Sequence, residues 1–149
     1  MRLYGDQRRL LRVCVNLLDN AIKYSPERCE IIITANLVDC NELDTLLPAA
    51  SVSDVLQLSE GHQYILVTLS DQGIGIPKEY HQLVFDKFFK VKSADEGERK
   101  GVDLGLTFCK LVIEAHGGLI WGKSPIERKC LNNDYGCRFC FVLPKAHIQ

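Results

Sequence analysis

Between Val13 and Pro26 the chain reads Val-Cys-Val-Asn-Leu-Leu-Asp-Asn-Ala-Ile-Lys-Tyr-Ser-Pro, and no other stretch restricts the possible folds as much. At about 3.6 residues per turn, Leu10, Cys14, Leu17, Leu18 and Ala21 fall on one side of a helix, with Leu11, Val15 and Ile22 beside them. That side is the expected core face. Arg12, Asn16, Asp19, Asn20 and Lys23 collect opposite, so two carboxamides one turn apart stand next to a cation. Asparagine is a mediocre helix former, and a stacked pair of them is explained either by a solvated face or by a site. An amide carbonyl is a hard oxygen ligand suited to Mg²⁺, which takes phosphate oxygens as other ligands. Lys23 would meet such a phosphate as a point charge. Asp6 is the expected N-cap, and Ser25-Pro26 the expected stop.

With 149 residues the chain is expected to form one domain able to bury a core. Its 18 basic and 19 acidic residues nearly cancel, so bulk charge recommends neither nucleic acid nor an anionic membrane as partner. No apolar run approaches the roughly 20 residues that span a bilayer. Seven cysteines without framework spacing favour reduced thiols and a cytoplasmic setting. Cys137 and Cys140 form a Cys-x-x-Cys, but within Gly136-Cys-Arg-Phe-Cys-Phe-Val-Leu143, which reads as a strand. Residues three apart on a strand point to opposite faces, which argues against a shared metal or a disulfide. Cys14, Cys29 and Cys109 are expected as small core residues.

After the first helix, Glu30 to Val38 is rich in β-branched residues and predicts a strand. Residues 39–62 have no clear period and are longer than a compact hairpin needs, so they read as an insertion loop with room for a short helix. Tyr64 to Ser70 predicts a second strand, which delivers Asp71-Gln-Gly73-Ile-Gly75-Ile76-Pro77 at its end. Glycines there serve equally as a turn or as a surface on which a planar base can lie, with Asp71 accepting from an exocyclic amine. A short helix then runs into Phe85, Phe88 and Phe89, whose spacing is that of core residues. Beyond the charged stretch from Lys92 to Lys100, Gly101-Val-Asp103-Leu-Gly105-Leu106 opens a strongly apolar helix, expected from Leu106 to Ala115 and closed by glycine. Free amides at such a helix start favour phosphate. Leu119 to Ser124 and Cys137 to Leu143 predict two more strands, and His116 reads as structural.

Four of these segments, in this order, carry a resemblance. Asn16-Leu-Leu-Asp-Asn20-Ala-Ile-Lys23-Tyr-Ser-Pro26 resembles the N box of the sensor histidine kinases, within the superfamily that includes gyrase-type and chaperone ATPases. Asp71-Gln-Gly73-Ile-Gly75 is similar to the first glycine box, Val84-Phe85-Asp-Lys-Phe88-Phe89 to the F box, and Lys100-Gly101-Val-Asp103-Leu-Gly105-Leu106 to the second glycine box. The tail Cys109-Lys-Leu-Val-Ile-Glu-Ala-His116-Gly-Gly118 is similar to the same helix of that family.

The resemblance implies an α/β two-layer sandwich, a mixed sheet with helices packed on one face, and an ATP lid at residues 91–103 between the aromatic box and the second glycine box. It implies ATP and Mg²⁺ as cofactors and transfer of the γ-phosphoryl to a histidine. Asn16 would hold Mg²⁺, Asn20 and Lys23 would contact phosphates, and Tyr24 would flank the adenine that Asp71 reads. Gly73, Gly75, Ile76, Phe89, Gly101, Leu104, Gly105 and Leu106 complete the implied nucleotide-contacting set, and Lys90 stands where it would reach the γ-phosphate. The pattern departs from the family at Asp103, which replaces a glycine, and at Arg12, where a Glu or Gln often stands. None of His62, His81, His116 and His147 has the context of a phosphoacceptor. The implied partners are therefore a dimerisation and phosphoacceptor domain of the same parent kinase and a response regulator, with the isolated domain monomeric. Two other readings stay open: a degenerate domain acting as a nucleotide- or protein-binding scaffold, and an ATPase of the gyrase or chaperone type.

Overall fold

The computed structural model describes residues 2–25, 27–47, 61–72, 83–85, 102–123 and 136–146. Helix α1 spans Gln7–Tyr24 and is followed by strand β1 (Ile32–Asp39), helix α2 (Cys40–Leu46) and strand β2 (Gln63–Asp71). A single 3-10 turn at Leu83–Phe85 precedes helix α3 (Val102–Ala115), strand β3 (Leu119–Lys123) and strand β4 (Cys137–Pro144). The strands align in the order β1-β2-β4-β3.

Each neighbouring pair of described strands is antiparallel, where the sequence reading expects a mixed sheet. The reason lies in the connections. The crossover through α3 makes β2 and β3 run the same way, as a helical crossover should, but β4 inserts between them and opposes both. The two-layer α/β sandwich itself is borne out.

Strand alternation sorts the core. Leu69, Ile120, Phe139, Phe141 and Leu143 face α1, α3 and the 3-10 turn, meeting Val13, Leu17, Ala21, Phe85, Cys109 and Ile113. Phe85 meets Phe139 edge to face, ring centres 5.9 Å apart at 84°, the favoured geometry for an aromatic pair. On the opposite side Tyr64, Leu66, Trp121, Cys140 and Val142 pack with Leu43 and Leu47 of and after α2. The insertion therefore contributes a helix on the second face, where the sequence reading places all helices on one. Asp39 and Glu42 exchange reciprocal bonds of 2.8 and 2.9 Å as a capping box, which lets so short a helix start. Residues 48–60 of the expected insertion lie outside the described residues.

The helix ends follow their sequence signals. Asp6 caps α1 by accepting from the Arg9 amide at 3.0 Å, and its own amide donates to His116 Nε2 at 2.9 Å. The other ring nitrogen of His116 lies 2.7 Å from the Val112 carbonyl, so the ring donates from Nδ1 and accepts at Nε2. That is the structural role expected of it. Gly117, at φ +75°, and Gly118 close α3 with amide bonds to the Glu114 and Ile113 carbonyls, a Schellman cap. The Ala146 amide bonds the Arg2 carbonyl at 2.8 Å and so joins the two ends of the described chain.

Two expectations about exposure are corrected. Leu11 and Ile22 of α1 are about 60% exposed, and Cys14 and Val15 are also outward. Leu111 of α3, which the apolar sequence suggested was wrapped on all sides, is exposed as well. Each helix has neighbours on only part of its circumference, so an all-apolar sequence leaves a surface stripe.

Cys137 and Cys140 belong to opposite core layers, as their spacing in a strand requires. Burial pushes the Cys109 thiol up to about 12 and the Cys140 thiol up to about 11. Burial, then the neighbouring Asp71 charge, raises Cys137 well above the ordinary range. These thiols hold their protons in the folded chain after the unfolded chain has lost them. Stability should be fully present below about pH 9 and fall above it, by up to about 1.4 kcal/mol per pH unit for each such thiol. Urea unfolding between pH 7.5 and 10.5 checks this, and Cys109→Ala should flatten the slope.

A Cβ at Gly118 would lie 2.0 Å from the Val142 carbonyl oxygen, inside the sheet backbone. Gly118→Ala should cost more than about 3 kcal/mol. Gly61, at φ +84° with open space around it, should lose only about 1 kcal/mol on the same change. Denaturation midpoints of the pair separate steric exclusion from backbone strain.

Candidate nucleotide-binding site

The site is built where α1 meets α3. The buried stripe of α1 is Val13, Leu17 and Ala21, repeating every four residues, with Asn16 and Asn20 along its margin. The sequence reading placed the asparagines on the face opposite the core, and the structure rotates that assignment. Asn16 is half-buried and Asn20 only 7% exposed. Close approach of α3 causes this. At Gly105 a Cβ would sit 3.8 Å from the Asn16 side chain, and the Cys109 thiol lies 3.7 Å from the Val13 carbonyl.

Asn16 donates from Nδ2 to the Gly105 carbonyl at 3.5 Å, which commits the nitrogen end of this amide to protein. Asn20 is different. Its Nδ2 is buried and meets no hydrogen-bond partner, and the same holds for Ser25 Oγ just past the end of the helix. Buried donors left without partners typically cost about 1–3 kcal/mol each, so a pair of such atoms near one helix end is a candidate place for a ligand that accepts hydrogen bonds. Lys23 is exposed in the last turn of α1, where a cation also suits the helix dipole.

Asp71 is the last residue of β2, on the same face as Leu69 and therefore on the helix side of the sheet. It is 4% exposed and stands opposite Cys137 in β4. Gly105 and Leu106 belong to α3, which begins at Val102, a full turn earlier than expected. This changes the role available to Gly105: it is the fourth residue of the helix, beyond the free amides at its start. Leu106 is buried in the main core, so its side chain is part of the packing.

The remaining expectations fall elsewhere. Gly73, Gly75, Ile76, Phe89, Lys90 and Gly101 lie outside the described residues, as do the side chains of Tyr24, Asp103 and Leu104 and the expected lid up to residue 101. Of the aromatic box, Val84 and Phe85 are buried core residues. Thr107 was not singled out by sequence, yet its hydroxyl donates to the Phe85 carbonyl at 3.1 Å and ties α3 to that segment. A lone threonine in an apolar helix carries no pattern that would have revealed it.

Residues 5–147 match the family described as histidine kinase-, DNA gyrase B- and HSP90-like ATPase. The sensor histidine kinase WalK of Bacillus subtilis is 34% identical over 97% of this chain and 19% of its own length. Sensor protein SrrB of Staphylococcus aureus is 35% identical over 94% of this chain and 19% of its own. The chain thus spans about a fifth of the length of these curated relatives. Among solved structures, the mycobacterial sensor histidine kinase MprB superposes with a TM-score of 0.65 at 27% identity, covering 98% of this chain and 76% of that one. The catalytic domain of histidine kinase ThkA gives 0.63 at 27% identity over 96% and 70%. The two-layer fold, the asparagine-bearing helix against α3 and this match across nearly the whole chain lead to one conclusion: the chain belongs to the histidine kinase-, DNA gyrase B- and HSP90-like ATPase family.

Proposed function

We propose that this chain is the ATP-binding catalytic part of a two-component sensor histidine kinase, and that it passes the γ-phosphoryl group to a histidine on a separate dimerisation and phosphoacceptor domain of the same parent. The observation that carries the reading is the buried, unpartnered Nδ2 of Asn20, one turn from Asn16 on the helix that packs on α3. Phosphate oxygens are the acceptors such a donor lacks. The relatives named as sensor kinases support the choice within the family, as does a ThkA structure described as a complex with the response regulator protein TrrA, at 25% identity. A response regulator is accordingly the expected downstream partner, and the cytoplasm the expected compartment.

The donor set fits a nucleotide with its metal. Asn16 has its amide nitrogen on Gly105, which leaves the oxygen as the metal-ligating atom, and an amide oxygen suits Mg²⁺. Bound there, Mg²⁺ would neutralise developing charge on the transferring phosphoryl group. Asn20 donates to phosphate, Lys23 supplies a cation, and Asp71 accepts from the adenine amine. Lys90 serves as a second cation toward the γ-phosphate. Catalysis of this kind is mostly positioning and charge stabilisation. Arg12, exposed on α1, cannot act as a general base because a guanidinium holds its proton, so any base lies outside this position.

Calorimetric titration with ATP should show Mg²⁺-dependent binding that Asp71→Asn abolishes; unchanged binding in that variant would overturn the assignment. Asn20→Leu separates function from fold. It replaces an amide with an unmet donor by an apolar group of similar volume, so the ligand-free domain should gain about 1 kcal/mol while ATP affinity falls at least about tenfold. Destabilisation with retained affinity would mean that Asn20 is a structural residue.

A further inference from the structure

The second face of the sheet carries a cavity that the nucleotide site does not use. It has a volume of about 480 Å³ and lies between α2 and the strands, within the range of small-molecule sites. The strand register arranges its floor in rows. Ile32, Ser70, Arg138 and Lys123 stand side by side across β1, β2, β4 and β3. Thr34, Thr68, Cys140 and Trp121 form the next row. Leu66 continues toward the apolar core beneath α2, where Leu46 closes the side. The floor therefore grades from two cations, through hydroxyls and an indole, to aliphatic carbon.

The cationic end is built, and the described residues set no carboxylate against it. Arg138 is half-buried, and its Nε donates to Ser70 Oγ at 2.9 Å, which fixes the guanidinium plane. Ser70 is itself 7% exposed. Among the described residues no acidic side chain lines the cavity, and no carboxylate forms an ion pair with Arg138 or Lys123. The Thr34 and Thr68 hydroxyls bond each other. The cation pair also acts on the floor, pulling the Cys140 thiol down against the larger effect of burial.

We propose that this cavity binds a small amphipathic anion, an aryl or alkyl carboxylate, sulfonate or phosphate, with its charged group between Arg138 and Lys123 and its apolar body against Trp121, Leu66 and Leu46. A planar guanidinium favours an oxyanion by paired donors, and the indole and leucines give the body somewhere dry to lie. The site is distinct from the nucleotide position. Ser70 and Asp71 are consecutive in β2 and point to opposite faces, so the two ligands would lie on either side of one strand end. This inference does not rest on the kinase reading, because it needs only the fold.

The test uses 8-anilinonaphthalene-1-sulfonate as the anionic probe and N-phenyl-1-naphthylamine, its counterpart without the sulfonate, as the neutral one. Fluorescence titration should give saturable one-to-one binding of the anionic probe, at least about tenfold tighter than the neutral one. Arg138→Gln should weaken it about tenfold or more, and Lys123→Gln, at an exposed side chain that leaves the fold intact, severalfold. Circular dichroism and thermal unfolding verify that both variants are folded. In two-dimensional NMR the Trp121 indole and the amides of Thr34, Thr68 and Cys140 should shift, and saturating ADP should not displace the probe. Equal binding of the two probes, unchanged affinity in Lys123→Gln together with a folded Arg138→Gln, or displacement by ADP would each overturn the proposal.

Discussion

The close approach of α3 to α1 is the contact on which the rest of this structure depends. Gly105 offers no side chain to Asn16, and its carbonyl takes the Asn16 amide. One turn along, Cys109 is wholly buried against the Val13 backbone. A methyl at Gly105 would meet Asn16 at 3.8 Å, an ordinary contact distance, so it is the fully buried Cys109 that leaves least room for a larger group between the helices. With the helices together, the asparagines sit at the edge of the core in a partly dry environment, where a hydrogen bond or charge interaction with phosphate is worth more than in water. The same packing that stabilises the helix layer would thus set the strength of the proposed site.

Stability and function pull in different directions at that junction. Val13, Leu17 and Ala21 bury apolar surface, which favours the folded state by about 25 cal/mol per Å². Asn20 and Ser25 do the opposite, each keeping a buried polar atom without a partner. Such local violations of an otherwise consistent sequence are expected where a ligand completes the structure. Ligand binding then adds to folding stability by mass action. If nucleotide is that ligand, as proposed, the ligand-free chain is in this sense an unfinished core.

Much of the fold was legible in the sequence because the strands and caps are written locally. The β-branched runs of β1 and β2, Asp6 at the start of α1, Ser25 at its end and the double glycine after α3 all carry their meaning within a few residues. What failed to be legible was set by neighbours. Leu17 and Ala21 of the expected core face are buried and Leu10 and Leu18 pack against the core, but Cys14 turns outward and Val13 inward, and only the position of α3 decides that rotation. The antiparallel pairing of the four described strands follows from β4 inserting between β2 and β3, which no single segment announces. The second-face helix was visible as room within an irregular stretch, but not its destination, since Leu43 and Leu47 are too few to point to a particular surface. Asn16, Asn20 and Asp71 were legible as candidates from residue type and order. The start of α3 at Val102 was not, because a glycine in the first turn reads as a helix boundary when the helix in fact runs through it.

The hydrogen bond between Ala146 and Arg2 closes the described chain almost into a ring. The path into α1 and the path out of β4 run together at one corner of the domain. A permuted chain, cut in an exposed connection and rejoined here by a short linker, would preserve the described strand pairings and helix caps. Adjacent domains attached through these two paths would pull on the same point. A force or rotation applied there would move the domain as a body, without prying α1 away from α3.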